Sequence, residues 1–357
     1  MPFPTFCISS QFGGQNMLIC FSAFRIFVVV TKDEIMATNN NNKLVAYLDV
    51  LGFSNAVNQD IDDAISVLTR FNTISSQSIV EDKIHPVSSY DPHLQNLAAR
   101  TSVDSFNLFI PFSDSVFISA NDCSRALIQI ANFVYESFRI NIDVYLHPHP
   151  PTDPTLSKSI GVGLDKQGNT VVKNIATHEP PVLFRGGVSY GEAYDLKMSA
   201  ILNGEPSYVK SIAGKAVVKA VRLEEKKVKG PRIIFTDDVF NMLDTNTLKY
   251  CRPIPEIIDN ENPLFEILWP ALTFIPENGF QIEFCQIYKI LDAAINLWIP
   301  YRDNVGITKH YENFIEMTLA SAIQISDKCW NKKSDAIDLL DKHMTSKNLN
   351  LYDFIEL

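Results

Sequence analysis

The chain predicts an α+β fold built around one buried strand, and three stretches lead to that expectation. Lys43-Leu-Val-Ala-Tyr-Leu-Asp-Val-Leu-Gly-Phe53 opens with an apolar run too short for a lone helix, places Asp49 at its end, and turns at Gly52 and Phe53. Asn107 to Ser119 sets two apolar runs around Ser113-Asp114-Ser115, the pattern of a β-hairpin with a carboxylate at its tip. Leu183 to Glu192 reads as a strand, with Gly186 and Gly187 where backbone must come close.

Between these strands the period changes to that of helices. Asp60 to Phe71 has an acidic start and apolar residues at Ile61, Ala64, Ile65, Leu68 and Phe71. Residues 83–103, with Pro86 and Pro92, read as a loop. Ser124 to Phe138 is amphipathic, with Leu127, Ile130, Ala131, Val134 and Phe138 on one face. An arm over 191–210 leads to a helix bearing Arg222, and Gly230 to Phe240 gives a short strand and an acidic helix start. The order is strand, helix, hairpin, helix, strand, helix, strand: a ferredoxin-like sheet with its helices packed on one face. From about residue 241 the pattern turns helical, with Leu264–Pro270 as a strand or anchoring segment and helices at Ile287–Trp298, His310–Ile325 and Ser334–Met344.

A formal net charge of −10 over 357 residues leaves no basic face for many phosphates, which excludes broad nucleic-acid binding but not a single nucleotide. The six cysteines are scattered with no Cys-X-X-Cys pair, as in a cytoplasmic protein with reduced thiols. Met17–Val30 is apolar but short for a membrane span and contains Arg25. The polar run Met36-Ala-Thr-Asn-Asn-Asn-Asn42 resembles a chain start, so residues 1–42 are expected to be disordered or not translated. His147 and His149 sit in a proline-punctuated loop without a third ligand, and Gly161-Val-Gly163 precedes a hairpin turn rather than a phosphate loop.

A charged side chain at the end of a buried strand is costly unless it is paired or holds a cation. Asp49 has the plain alternative of capping the helix that follows, and Asp49 and Asp114 together have the alternative of two unrelated acids. If neighbouring strands bring them together, they suit Mg²⁺ or Mn²⁺ with a phosphate substrate.

These three stretches, followed in order by Gly214-Lys-Ala-Val-Val-Lys-Ala-Val-Arg222 and by Gly230 to Phe240, resemble the class III nucleotidyl cyclases, and within them the pyrimidine cyclases of bacterial Pycsar anti-phage systems. The resemblance spans roughly Leu44 to Phe240. It implies a cyclase domain at 43–245 with a mainly helical extension at 246–357 packed on it. It also implies two Mn²⁺ or Mg²⁺ ions on Asp49, Asp114 and the Val50 carbonyl, and phosphates against the Leu51-Gly52-Phe53 turn. Arg222 would act at the transition state from the facing subunit of a homodimer with shared sites; its plain alternative is a surface ion pair with Glu224 or Glu225. The family's Asn, four residues before that Arg, is here Val218. No lysine matches the family's phosphate-binding one, for which Lys215, Lys219 or Arg232 are substitutes, and Arg185 either braces the sheet or touches substrate.

Ile110 and Ser211 stand where relatives read a purine base. Ile110 offers a purine nothing polar, whereas Ser211 suits a pyrimidine edge. The resemblance therefore implies UTP, with CTP second, as substrate, and a cyclic monophosphate read by a separate membrane or TIR-type effector. The alternative is a cyclase-like dimer that senses a nucleotide without turning it over.

Overall fold

A computed structural model describes residues 6–12, 15–21, 27–31, 41–59, 61–139, 158–164, 170–176, 182–202, 205–226, 228–259, 262–273, 285–330 and 333–356. The elements run β1 (Phe6–Phe12), β2 (Gln15–Phe21), β3 (Phe27–Thr31), β4 (Asn42–Val50), α1 (Phe53–Gln59), α2 (Ile61–Ile84), α3 (Pro92–Thr101), β5 (Phe106–Phe112), β6 (Ser115–Ala120) and α4 (Cys123–Arg139). They continue with β7 (Lys158–Leu164), β8 (Thr170–Ala176), β9 (Phe184–Glu192), β10 (Tyr194–Leu202), β11 (Glu205–Ala213), α5 (Lys215–Glu225), β12 (Ile233–Phe235), α6 (Asp237–Phe240) and α7 (Thr245–Leu248). The last are β13 (Cys251–Asp259), β14 (Asn262–Ile267), α8 (Cys285–Trp298), α9 (Val305–Ile325) and α10 (Lys333–Ser346).

The central sheet has seven strands in the order β13-β14-β12-β9-β4-β6-β5. The four strands at one end, β9-β4-β6-β5, follow the ferredoxin-like order, antiparallel throughout, and β12 joins parallel to β9. The expected α+β, ferredoxin-like sheet is the one observed. Strand β4 is central because both its faces are covered. Leu44, Ala46, Leu48 and Val50 enter the main core beside Phe71, Leu127, Ile130 and Val134, while Val45 packs with Ala216 and Ala220 of α5 on the other side. The helices therefore lie on both faces, which corrects the one-face expectation. Gly187 permits this, since a Cβ there would lie 2.2 Å from the Ala220 carbonyl oxygen. The Ser189 hydroxyl adds an anchor by donating to the Ala216 carbonyl at 2.6 Å.

Other expectations also shift. In α2 the buried stripe is Ala64, Val67, Phe71 and Ile74, while Ile61 and Ile65 stand 56% and 54% exposed. Both stripes satisfy a helical period, and packing selects one. The expected loop at 83–103 contains α3, with Pro92 in its first turn where its missing N–H costs nothing. The arm at 191–210 is the hairpin β10–β11, and β7 pairs antiparallel with β8. Within residues 1–42, β1, β2 and β3 form antiparallel pairs, and β3 joins β10 through Val29 and Val28. His147 and His149 lie outside the described residues. No helix among the described residues is long and apolar enough to cross a membrane.

The C-terminal helices share the main core. Trp269, fully buried, donates its indole N–H to the Pro231 carbonyl at 2.9 Å and meets the rings of Phe138 and Phe314. Beside it, Glu266 is 0% exposed and Arg232 5%. Arg252 bridges Glu266 and Glu316 at 2.7 Å each, and Arg232 reaches Glu316 at 2.9 Å. His310 of α9 accepts the Gly230 N–H on Nδ1 at 3.1 Å. Burial first, then the Lys229 charge, hold its imidazolium form down to a pKa of about 4.

Two predictions follow from these contacts. Glu266→Gln leaves the buried Arg232 and half-buried Arg252 guanidinium groups sharing Glu316 and is expected to lower unfolding stability by about 3 kcal/mol, read from urea denaturation. His310 is neutral when folded and has an ordinary value of 6.5 when unfolded, so its contribution is complete above pH 6.5 and is lost as pH falls toward about 4. His310→Gln should flatten that part of the stability–pH curve.

Candidate active site

Antiparallel register gathers the polar side chains of the α5 face into rows. Phe112 pairs with Ser115, Ser115 with Asp49, and Asp49 with Arg185. The next row is Ile110, Phe117, Tyr47 and Gly187. Asp114 sits in the two-residue turn between β5 and β6, where Ser113 takes φ of 55°. Val50 N–H donates to the Asp114 carbonyl at 2.9 Å, so the end of β4 and the hairpin tip are stitched together with both acids present. Gly52 turns the chain at φ +84°, a backbone state that favours glycine, and Phe53 begins α1.

Asp49 is held on both oxygens. Ser115 donates to Oδ1 at 2.9 Å, and Arg185 Nη2 approaches Oδ2 at 3.4 Å. Since the Ser115 proton points to the carboxylate, Tyr47 is the donor in its 3.0 Å contact with Ser115. The Tyr47 ring in turn lies 4.7 Å from that of Phe117. Burial raises the Asp49 carboxyl above its ordinary value; the Ser115 hydrogen bond opposes that rise, the Asp114 charge adds to it, and Arg185 opposes it. Burial likewise raises Glu224, which lies 2.7 Å from Arg185 Nε.

Among the described residues no group of three or more His, Cys, Asp or Glu side chains converges on one point. The donor set is thus two carboxylates at adjoining strand ends with the Val50 carbonyl at the same end. That set fits a hydrated Mg²⁺ or Mn²⁺ completed by substrate phosphates, the usual habit of such ions in nucleotide enzymes.

The remaining expected residues are more dispersed. The Leu51 amide donates to the Leu183 carbonyl at 2.7 Å, so it is spent inside the fold and is not a phosphate donor; this corrects that part of the turn reading. Ile110 lies on the edge strand β5, opposite Phe117. Ser211 lies on β11 opposite Leu196, in a different sheet from Asp49. Arg222 is exposed on α5, and among the described residues it makes no ion pair with Glu224 or Glu225. Of the substitute phosphate cations, Lys215 faces Glu192, Lys219 faces Asp238, and Arg232 is buried in the Glu266–Glu316 network. Sequence reasoning missed Tyr47 and Ser115. Their signal was alternation: Tyr47 stands two residues before Asp49, on the same strand face.

Among the described residues Cys123 and Cys251 are free thiols, and burial pushes them up to about 11 and about 12. Both are core residues, inert near neutral pH.

No family model matches the chain, and no curated protein does. Solved structures do resemble it. A bacterial light-regulated adenylyl cyclase is 14% identical over 66% of this chain at a TM-score of 0.39, and the chain spans 53% of that protein. An adenylate cyclase from Trypanosoma brucei in its monomeric state is 10% identical over 68% of this chain and 92% of its own, with a TM-score of 0.37. The catalytic core of a rhodopsin-guanylyl cyclase in complex with ATPαS is 12% identical over 64% and 95%, also at 0.37. At that level of likeness neither activity nor substrate carries over to this chain.

Exposure of Arg222 without a described partner makes a clear prediction for stability. Arg222→Ala should change unfolding free energy by no more than about 0.5 kcal/mol, read by thermal denaturation.

Proposed function

We propose that this chain is a nucleotidyl cyclase acting on a pyrimidine nucleoside triphosphate. The observation that supports this most is the joining of Asp49 and Asp114 at adjacent strand ends of a ferredoxin-like sheet, with Asp49 half-buried beside a single arginine at 3.4 Å. An uncompensated acidic pair of this kind destabilises the empty protein, and a cation-dependent reaction gives it a reason to exist.

In the proposed reaction the ribose 3′ oxygen attacks the α-phosphorus in line, its proton leaves to solvent or base, and the bond to the bridging oxygen breaks to release diphosphate. Asp49, Asp114 and the Val50 carbonyl would hold two Mn²⁺ or Mg²⁺ ions, which when bound neutralise phosphate charge and ease loss of the hydroxyl proton. Ser115 and Tyr47 fix the orientation of the Asp49 carboxylate. Gly52 and Phe53 form the turn that faces the phosphates, and Arg222, exposed on α5, meets α-phosphoryl charge across a homodimer interface. Ile110 and Ser211 line the base, and the apolar Ile110 side chain disfavours a purine whose ring edge would be left unpaired. The product would be a 3′,5′-cyclic pyrimidine monophosphate, serving as a signal in anti-phage defence that a separate membrane or TIR-type effector reads. A second reading, a nucleotide-sensing dimer without turnover, draws on one observation: exposed Val218 stands where an Asn would contact ribose.

Incubation with Mn²⁺ and each of four triphosphates tests the proposal. UTP, then CTP, should be cyclised far faster than ATP or GTP, and absence of turnover with all four would favour the sensing module. Asp49→Ala and Asp114→Ala should each lose several orders of magnitude of activity, and Arg222→Ala roughly 10²–10³-fold. Mixing Asp49→Ala with Arg222→Ala should restore part of the activity, because one site of a mixed dimer is then intact. If subunits exchange and no activity returns, each chain holds a complete site.

A further inference from the structure

Two carboxylates compete for one guanidinium at the end of β4. Arg185 Nη2 stands 3.4 Å from Asp49 Oδ2, long for a charge-assisted hydrogen bond. The Nε of the same group is 2.7 Å from Glu224 Oε1. The contact with Glu224 is close but poorly directed, since neither atom meets hydrogen-bond geometry. Arg185 is thus drawn toward α5 without being locked there, and Asp49 keeps only the weaker share of its charge. Asp49 Oδ1 is already taken by Ser115, which leaves Oδ2 as the oxygen that either Arg185 or a cation can claim.

The place of Glu224 is set by the backbone. At Gly187 the helix is pressed so near the sheet that a Cβ would lie 2.2 Å from the Ala220 carbonyl oxygen and 3.0 Å from the Glu224 nitrogen. Gly187 pairs with Tyr47 and Arg185 with Asp49 on the same two strands. Glu224 is therefore held over the row next to the acid pair, near enough to take Arg185 and outside any convergent donor group.

We infer that Glu224 is a positioning residue that holds Arg185 back from Asp49 and so keeps the Oδ2 oxygen open to a divalent cation. This rests on the cyclase reading for the role of Asp49. Without the Glu224 charge, Arg185 turns fully onto Asp49, and the cation must displace a formed ion pair to enter.

Mn²⁺ binding to the full-length, metal-free protein, read from the electron paramagnetic resonance of free Mn²⁺, tests this without turnover. Glu224→Gln should bind Mn²⁺ on the order of tenfold more weakly than the wild type, the scale of one partly screened charge contact. Adding Arg185→Gln to it removes the competitor and should return affinity to within about twofold of the wild type. Glu225→Gln makes the same charge change on an exposed neighbour and should leave binding unchanged. Circular dichroism confirms folding; should Glu224→Gln not fold, Arg185→Gln alone is expected to bind Mn²⁺ more tightly than the wild type. The inference falls if Glu224→Gln binds as the wild type does, if Glu225→Gln weakens binding equally, if the double variant stays weak, or if Arg185→Gln gains nothing. If the wild type takes up no Mn²⁺ even with a non-cyclisable nucleoside triphosphate analogue present, the metal role of Asp49 in the cyclase reading falls and this inference with it.

Discussion

The site depends on the burial of both faces of β4. A strand that alternates between two cores has no freedom of register: a slip of one residue would put Asp49 into the core that holds Leu48 and Val50, and Leu48 onto the polar row. The same constraint fixes β6 and β9, which pair with β4 along its length. Ser115 and Arg185 therefore arrive on either side of Asp49 because the hydrophobic pattern allows no other register. Polar geometry is inherited from apolar packing.

That packing also determines how the acids are balanced. Asp49 and Glu224 are both partly withdrawn from water, and one arginine lies between them. An interior built only for stability would supply a second cation or replace an acid. Here the imbalance remains at a strand end, next to a turn that glycine makes possible, which is where a ligand can supply the missing charge.

The sequence showed much of this and hid the rest for identifiable reasons. The strand ending at Asp49 and the hairpin tip at Asp114 were legible because both are local patterns: an apolar run, a turn, a carboxylate. The ferredoxin-like order was legible because the helices between the strands alternate clearly. The side of the sheet taken by α5 was not, since Gly187 offers a close approach without saying to which face. The partner of Arg185 depends on that choice, and so Glu224 appeared in sequence only as a neighbour of Arg222. Pro92 reads as a loop marker until a helix is seen to start on it. The strands β1 to β3 lie in a segment set apart by composition, and the pairing of β3 with β10 is a long-range contact that no local signal records.

The network of Arg232, Arg252, Glu266 and Glu316 has a consequence for where this protein can be cut. By composition a boundary falls near residue 245, where strands give way to helices. Physically, Glu316 of α9 supplies an anion to two arginines, one in the stretch leading into β12 and one on β13. Trp269, between the two halves, packs on rings from α4 and α9 together. A chain shortened before α9 would expose that indole and leave Arg232 and Arg252 to share one buried carboxylate. The helical part is therefore a wall of the sheet's own core rather than an attachment to it.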